Sequence, residues 1–167
     1  FFCFLGVMGD PQKRLQMALD PAHMATWDSH IVGGQVIDGT VTWSARGAAL
    51  LGVAERPLTQ SFRDFLACVH ADDRDHVVQV LQDGVERRGG YALQYRVVWP
   101  DGSEHWLAAK AHVFTDASGE PDRTLGIIWD VTEHQLREIM IAERKELAEV
   151  TLGSIGVAVI TSDPQGK

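Results

Sequence analysis

Residues 91–131 read YALQYRVVWPDGSEHWLAAKAHVFTDASGEPDRTLGIIWDV, and they carry three strands in close succession. YALQYRVVW alternates apolar and polar side chains until its end, the period of a half-buried strand. WPDGSEHW supplies a tight hairpin, with Asp101 and Gly102 where the backbone needs special geometry. HWLAAKAHVFTD forms the second strand, DASGEPD a longer turn, and RTLGIIWDV the third. Short turns between strands mean antiparallel pairing.

Upstream, Ala25 to Val32 and Gly39 to Trp43 read as two more strands, separated by the turn-rich GGQVIDG. Ser44 is placed to cap a short helix over Ala45 to Leu51, ended by Gly52. Phe62 to Val69 is a second short apolar helix. Asp72 or Asp73 caps a longer one, with Val77, Val80, Leu81 and Val85 on one face and Gly89-Gly90 as its stop. Before all of these, Leu15, Ala18, Leu19 and Ala22 recur at helical spacing, and Pro21 bends that segment. Strands segregated from helices in this order give an α+β fold with an antiparallel sheet.

Composition narrows the function classes. The 167 residues carry a net charge of −8, which disfavours nucleic acid and anionic membrane surfaces, since both need clustered Lys and Arg. Cys3 and Cys68 lie far apart without a CxxC pattern, as expected of reduced thiols in the cytoplasm. FFCFLGVMG at the start is far below the roughly 20 residues of a membrane helix and lacks signal-peptide features. Residues 1–10 therefore read either as a linker or as the end of a membrane segment. No P-loop, GxGxxG, HExxH or GxSxG occurs, so no catalytic constellation is visible. Asp72, Asp73 and Asp75 are better read as complementing a helix dipole than as a cation site, and no metal site is expected.

The third strand runs directly into a charged helical stretch, IIWDVTEHQLRE. Thr132 and Gln135 fit a capping box. Leu136, Met140, Leu147 and Val150 then recur with the three-four alternation of a coiled-coil seam, with Glu143 weakening it. Beyond lies LAEVTLGSIGVAVITSDPQGK, where VAVI and the D-P-Q-G-K turn read as a strand and turn opening a further module.

Five landmarks in order, LQMALDPAHMATWD, VTWSARGAALLGV, FRDFLACVHADDRDHV, YALQYRVVWPDGSEHWL and LGIIWDVTEHQ, resemble the PAS family of sensor domains in its bacterial signalling variant. The resemblance implies a five-stranded antiparallel sheet, spatial order 2-1-5-4-3, curled around a small pocket that helices close. It divides the chain into residues 1–10, a PAS domain with an N-terminal helix over 11–131, a signal-output helix over 132–150, and the start of a second PAS domain over 151–167.

Strand parity puts Tyr91, Leu93, Tyr95 and Val97 on one face, and Leu107, Ala109, Ala111 and Val113 on one face of the next strand. By resemblance these faces look inward, together with Thr124, Gly126 and Ile128. Small side chains at Ala109, Ala111 and Gly126 leave space, whereas Tyr91, Tyr95 and Trp27 are large enough to fill it. Trp106, Ile127 and Trp129 fall on the outer face, to be covered by the N-terminal helix or by a second protomer. Asp130-Val131-Thr132 matches the family's D-x-T at the start of its signal-output helix, which makes Asp130 and Thr132 the expected relay.

Among cofactors the sequence requires none, and haem and flavin are the two to weigh. The N-C-R-F-type motif of flavin photoreceptors is absent. His76 stands near the start of the long helix, where haem-binding relatives place a ligand, although a histidine there is commonly a surface residue. His70 reads as structural, bonding backbone at the following helix start. His105 and His112 point to opposite faces of one strand. The expected function is a sensory or regulatory PAS domain of a bacterial signalling protein, not itself an enzyme. It would bind a small ligand or mediate homodimerisation, and relay to a downstream cyclic-di-GMP cyclase or phosphodiesterase. The alternatives are a sensor histidine kinase module and a ligand-free dimerisation spacer. A cytoplasmic location follows, either free or as the cytoplasmic portion of a membrane-anchored protein.

Overall fold

A computed structural model describes Leu19 and residues 23–53 and 55–159. The helix expected over residues 12–19 and the reading of residues 1–10 lie outside these, apart from Leu19. Two compact units divide at Val131 and Thr132.

The first unit is one antiparallel sheet: β1 (Ala25–Val32), β2 (Gln35–Trp43), β3 (Leu58–Ser61), β4 (Gly90–Val98), β5 (Glu104–Thr115) and β6 (Pro121–Asp130). Its order is β3-β2-β1-β6-β5-β4. The expected order is thus present, with one strand added at the edge. That strand, LTQS, pairs with β2 from Thr40↔Ser61 to Trp43↔Leu58. Four residues with no alternating pattern give no strand signal, and their conformation comes from the ladder β2 offers.

The turn between β1 and β2 is also tighter than GGQVIDG suggested. Gly33 and Gly34 both take positive φ, +58° and +73°, as a two-residue hairpin matching strand twist requires. Val36 onward is therefore free to pair, and β2 starts at Gln35.

Three helices and a short 3-10 turn join the strands: α1 (Ala45–Leu50), α2 (Phe62–Cys68) and α3 (Arg74–Arg87), with the turn at Ala71–Asp73. Ser44 caps α1 as expected. Its Oγ accepts the N–H of Gly47 at 3.3 Å and that of Thr26 at 3.2 Å, so one hydroxyl fixes both the helix start and β1. Ser44→Ala leaves two N–H groups without this acceptor, and we expect a loss near the upper end of the roughly 0.5–2 kcal/mol range for such caps. A denaturant midpoint equal to the parent's would refute this double role.

At α3 the expected cap is corrected. Asp73 occupies the N-cap position but makes no side-chain cap hydrogen bond. Its carboxylate instead accepts the backbone N–H of Arg96 at 2.8 Å and the Arg96 guanidinium at 3.0 and 2.5 Å. The helix stops at Arg88, in left-handed conformation at φ +51°, one residue before the glycines.

The core lies between the inner face of the sheet and these helices. Trp27, Val41 and Trp43 meet Phe62, Phe65, Val77, Leu81 and Val85 there, all buried together with Tyr91, Leu93, Tyr95 and Val97 of β4, Leu107, Ala109, Ala111 and Val113 of β5, and Ile128 of β6.

The second unit is α4 (Thr132–Val159). It continues beyond residue 150 and includes Val157 and Ala158, where a strand was expected. A lone strand has no ladder to satisfy its backbone, whereas a helix satisfies its own; 160–167 lie outside the described residues. Leu136, Ile139, Met140 and Leu147 are exposed along α4. Among the described residues, no helix is long and apolar enough to cross a membrane.

Candidate functional site: the sheet interior and its exit

Of the nine expected pocket residues, eight sit in one core: Tyr91, Leu93, Tyr95, Val97, Leu107, Ala109, Ala111 and Ile128. Leu93, Tyr95 and Ala109 line a small cavity of about 20 Å³. Its remaining walls are Trp27, Val41, Trp43, Phe62, Phe65, Val77 and Leu81. Sequence reasoning had weighed Trp27 as a filler but missed Trp43 and the two phenylalanines. Trp43 ends an alternating strand, and Phe62 and Phe65 stand at i,i+3, so the signal was present.

Gly126, the ninth, is not vacant space. A Cβ built on it would lie 2.5 Å from Trp27 Cε2 and 2.6 Å from Nε1. The indole of Trp27 is seated on the bare backbone of β6. Tyr91 is seated likewise against Gly84 of α3, at 2.3 Å from its virtual Cβ to Cδ1. The glycines admit aromatic rings, and those rings close most of the volume that small residues seemed to offer. Trp43 bridges the group, with ring centroids 5.9 Å from Trp27 and 5.3 Å from Phe65.

The polar inventory of this interior is short. Burial pushes the Tyr91 and Tyr95 hydroxyls well above their ordinary range, and Tyr91 bonds Thr124, itself buried. Burial, followed by Asp64, also raises the Cys68 thiol, whose Sγ donates to the Asp64 carbonyl at 3.6 Å. A protonated thiol is a poor nucleophile. Among the described residues, none offers a hydrogen-bond partner to the buried Nε1 atoms of Trp27 and Trp43. A buried donor without an acceptor costs about 1–3 kcal/mol.

The histidines fall as follows. His70 Nδ1 accepts the Asp72 N–H at 3.2 Å, the structural role expected. His76 is exposed on α3. His112 is exposed on the outer face, and His105 lies on the inner parity of β5 near the strand exit. No group of three or more His, Cys, Asp or Glu side chains could hold a metal among the described residues.

The expected outer-face residues separate. Ile127 joins Leu125, Lys110, His112, Thr26 and Asp28 along a broad open groove of about 970 Å³, with Leu19 and Met24 at its margin. Trp106 and Trp129 do not line this groove. Trp106 is overlain by the Arg96 guanidinium, 5.5 Å from its ring centroid. At the exit, the Val131 N–H donates to the Trp106 carbonyl at 2.8 Å, and α4 begins at Thr132 itself.

Comparison with known proteins agrees with this architecture. The chain is 38% identical over 152 residues to the probable diguanylate cyclase DgcE of Escherichia coli, covering 90% of the chain and 13% of that protein. It is 27% identical over 154 residues to the sensor protein FixL of Bradyrhizobium diazoefficiens, covering 92% and 29%. The chain thus spans less than a third of either relative. A sensory box histidine kinase/response regulator from Burkholderia thailandensis superposes with a TM-score of 0.65 at 27% identity, over 81% of this chain and 98% of that one. The family model described as PAS fold matches residues 40–128. With sheet order, helix placement and that match in agreement, the chain belongs to the PAS fold family.

Proposed function

We propose that this domain senses a small neutral ligand in its interior and relays occupancy through β6 and the Asp130–Thr132 junction into α4. The observation that carries this reading is the seating of Trp27 on Gly126. Any molecule entering the 20 Å³ space must displace a ring of the lining, and Trp27 rests on the strand that leads to α4. The two unpartnered indole N–H groups favour a ligand bearing acceptor atoms. Among the described residues, the lining holds no charged side chain, which favours an uncharged one. Tyr91, Leu93, Tyr95, Val97, Leu107, Ala109, Ala111, Gly126 and Ile128 form or support that site in this proposal.

The relatives support an output that lies outside this segment, with cyclic-di-GMP turnover first and a histidine kinase second. In that longer protein, residues 11–131 act as the sensor and 132–150 as the output helix. Residues 151–167 begin the next module, and the domain works in the cytoplasm. The exposed Leu136, Met140 and Leu147 of α4, and the outer face at Trp106, Ile127 and Trp129, supply surfaces for a homodimer.

A ligand-free spacer is the second reading, favoured by how little volume is left. Native mass spectrometry of the protein as isolated separates the two. An additional mass lost on denaturation supports sensing; a bare chain whose output ignores every extract fraction favours the spacer. Thr132→Ala removes the hydroxyl of the first residue of α4. With Asp130→Ala it should leave ligand binding intact while flattening the dose-response of the full-length protein. A parental dose-response in both variants would refute the relay.

A further inference from the structure

The hairpin between β4 and β5 carries a set of contacts that neither the sensing pocket nor the sheet requires. Trp99 donates its Nε1–H to the Leu50 carbonyl at the end of α1, at 3.1 Å. Its ring covers Gly52, where a Cβ would lie 2.6 Å from Trp99 Cγ. His105 stacks on that ring, centroids 3.9 Å apart at 22°. One nitrogen of His105, Nε2, is 3.0 Å from Ser103 Oγ; the other, Nδ1, is 3.9 Å from Asp130 Oδ2.

Proton accounting fixes which nitrogen does what. Ser103 Oγ is 2.6 Å from Asp101 Oδ1. The Ser103 hydroxyl and N–H hold the Asp101 carboxyl below the usual carboxylate range, so Asp101 is ionised and has no proton to give. The single hydroxyl proton of Ser103 is therefore committed to Asp101, and Ser103 Oγ can only accept from His105. Nε2 carries a hydrogen. In neutral His105 the bare lone pair of Nδ1 then faces the Asp130 carboxylate, an arrangement without attraction. Uptake of one proton at Nδ1 places a positive charge 3.9 Å from that carboxylate, an ion pair in the same geometry.

We propose that His105 is a proton-operated clasp on Asp130, the last residue of β6. The proton comes from solvent and returns to it, and no other bond changes. Among the described residues, the imidazole faces the carboxylates of Asp101 on the hairpin and Asp130 on β6. Trp99 and Ser103 are neutral, the cross-strand residue on β4 is Val97, and Leu50 and Gly52 bring only backbone from the end of α1. Glu104 alternates to the opposite face and meets His70 Nε2 at 3.4 Å. Closing the clasp ties the exit of β6, through the stacked pair, to the helix α1 that covers the core. As regulation of the relay this rests on the proposed function above; the clasp itself does not.

The test is nitrogen-resolved NMR of His105 in the 167-residue chain between about pH 5 and 8, the range in which histidines titrate. At the alkaline end the Nε2–H tautomer is expected. Ser103→Ala, which removes its acceptor, should admit the Nδ1–H tautomer. At the acid end a protected Nδ1–H resonance should appear in the parent and vanish in Asp130→Asn. An Nδ1–H tautomer in the alkaline parent, or an acid-end resonance unchanged in Asp130→Asn, would overturn the proposal.

A second readout, hydrogen exchange at residues 132–137, separates the clasp from the relay. Protection should rise roughly two- to fivefold on acidification, the range an exposed ion pair commands, and less in His105→Gln. That variant also controls for His134, which lies 3.7 Å from Glu138 on α4. A clasp seen by NMR without any change in α4 supports the His105 assignment and counts against the relay.

Discussion

Gly126→Ala is expected to destabilise the domain by about 1–3 kcal/mol, the range for overpacking a well-filled core. The added methyl group would meet three atoms of the Trp27 indole between 2.5 and 2.7 Å. Trp27 is 6% exposed and lies beside Trp43, ring centroids 5.9 Å apart, which limits how far its ring can shift. The clash has a specific signature. Trp27→Leu alone leaves a void, but in the double variant the methyl group occupies part of it. The two changes should therefore sum to less than their separate effects, by about 0.5–3 kcal/mol for residues in contact. Strict additivity in a denaturant cycle would show that the ring is not seated there.

Asp73→Asn is the other large effect, expected to cost about 1.5–3 kcal/mol at neutral pH, as for losing hydrogen bonds to a charged group. The carboxylate accepts three hydrogen bonds from Arg96, one of them from its backbone. Those bonds hold the Asp73 carboxyl below its ordinary range against the opposing effect of burial. A lowered pKa in the folded state means the stabilisation is complete above the ordinary carboxylate value of about 3.9 and is lost as pH falls below it. The gap between parent and Asp73→Asn should therefore narrow on acidification. A gap that stays constant into acid would mean that the charge contributes nothing.

These two residues also mark where the sequence was and was not legible. Which side chains share a face of β4 and of β5 follows from period-2 alternation, which is local, whereas the inward facing of Thr124, Gly126 and Ile128 was what the family resemblance implied. Ser44 as a cap and Asp101-Gly102 as a hairpin are likewise local chemistry. Asp73 was legible only as an acid at a helix start; that it turns away to a strand is decided by Arg96, 23 residues on. Gly126 read as space because a glycine shows nothing of which ring approaches it. LTQS stayed silent because its order is borrowed from β2. The interior was thus legible as a face but not as a volume, since volume depends on rotamers chosen by distant neighbours.

One consequence of the sheet's borders remains. β3 is four residues long. At the other border, the Arg96–Val97 end of β4 is occupied by the bridge from Val69 to Val97, the His70 N–H on the Arg96 carbonyl, and Asp73 on the Arg96 N–H. Strand edges with free donors are templates for another chain's strand. Were several such sheets strung along one polypeptide, as we propose, their local concentration would make adventitious zippering a standing hazard. A stunted strand on one side and a carboxylate plug on the other leave a neighbouring module little to zip onto. That steers association toward faces and helices, where it can be reversible.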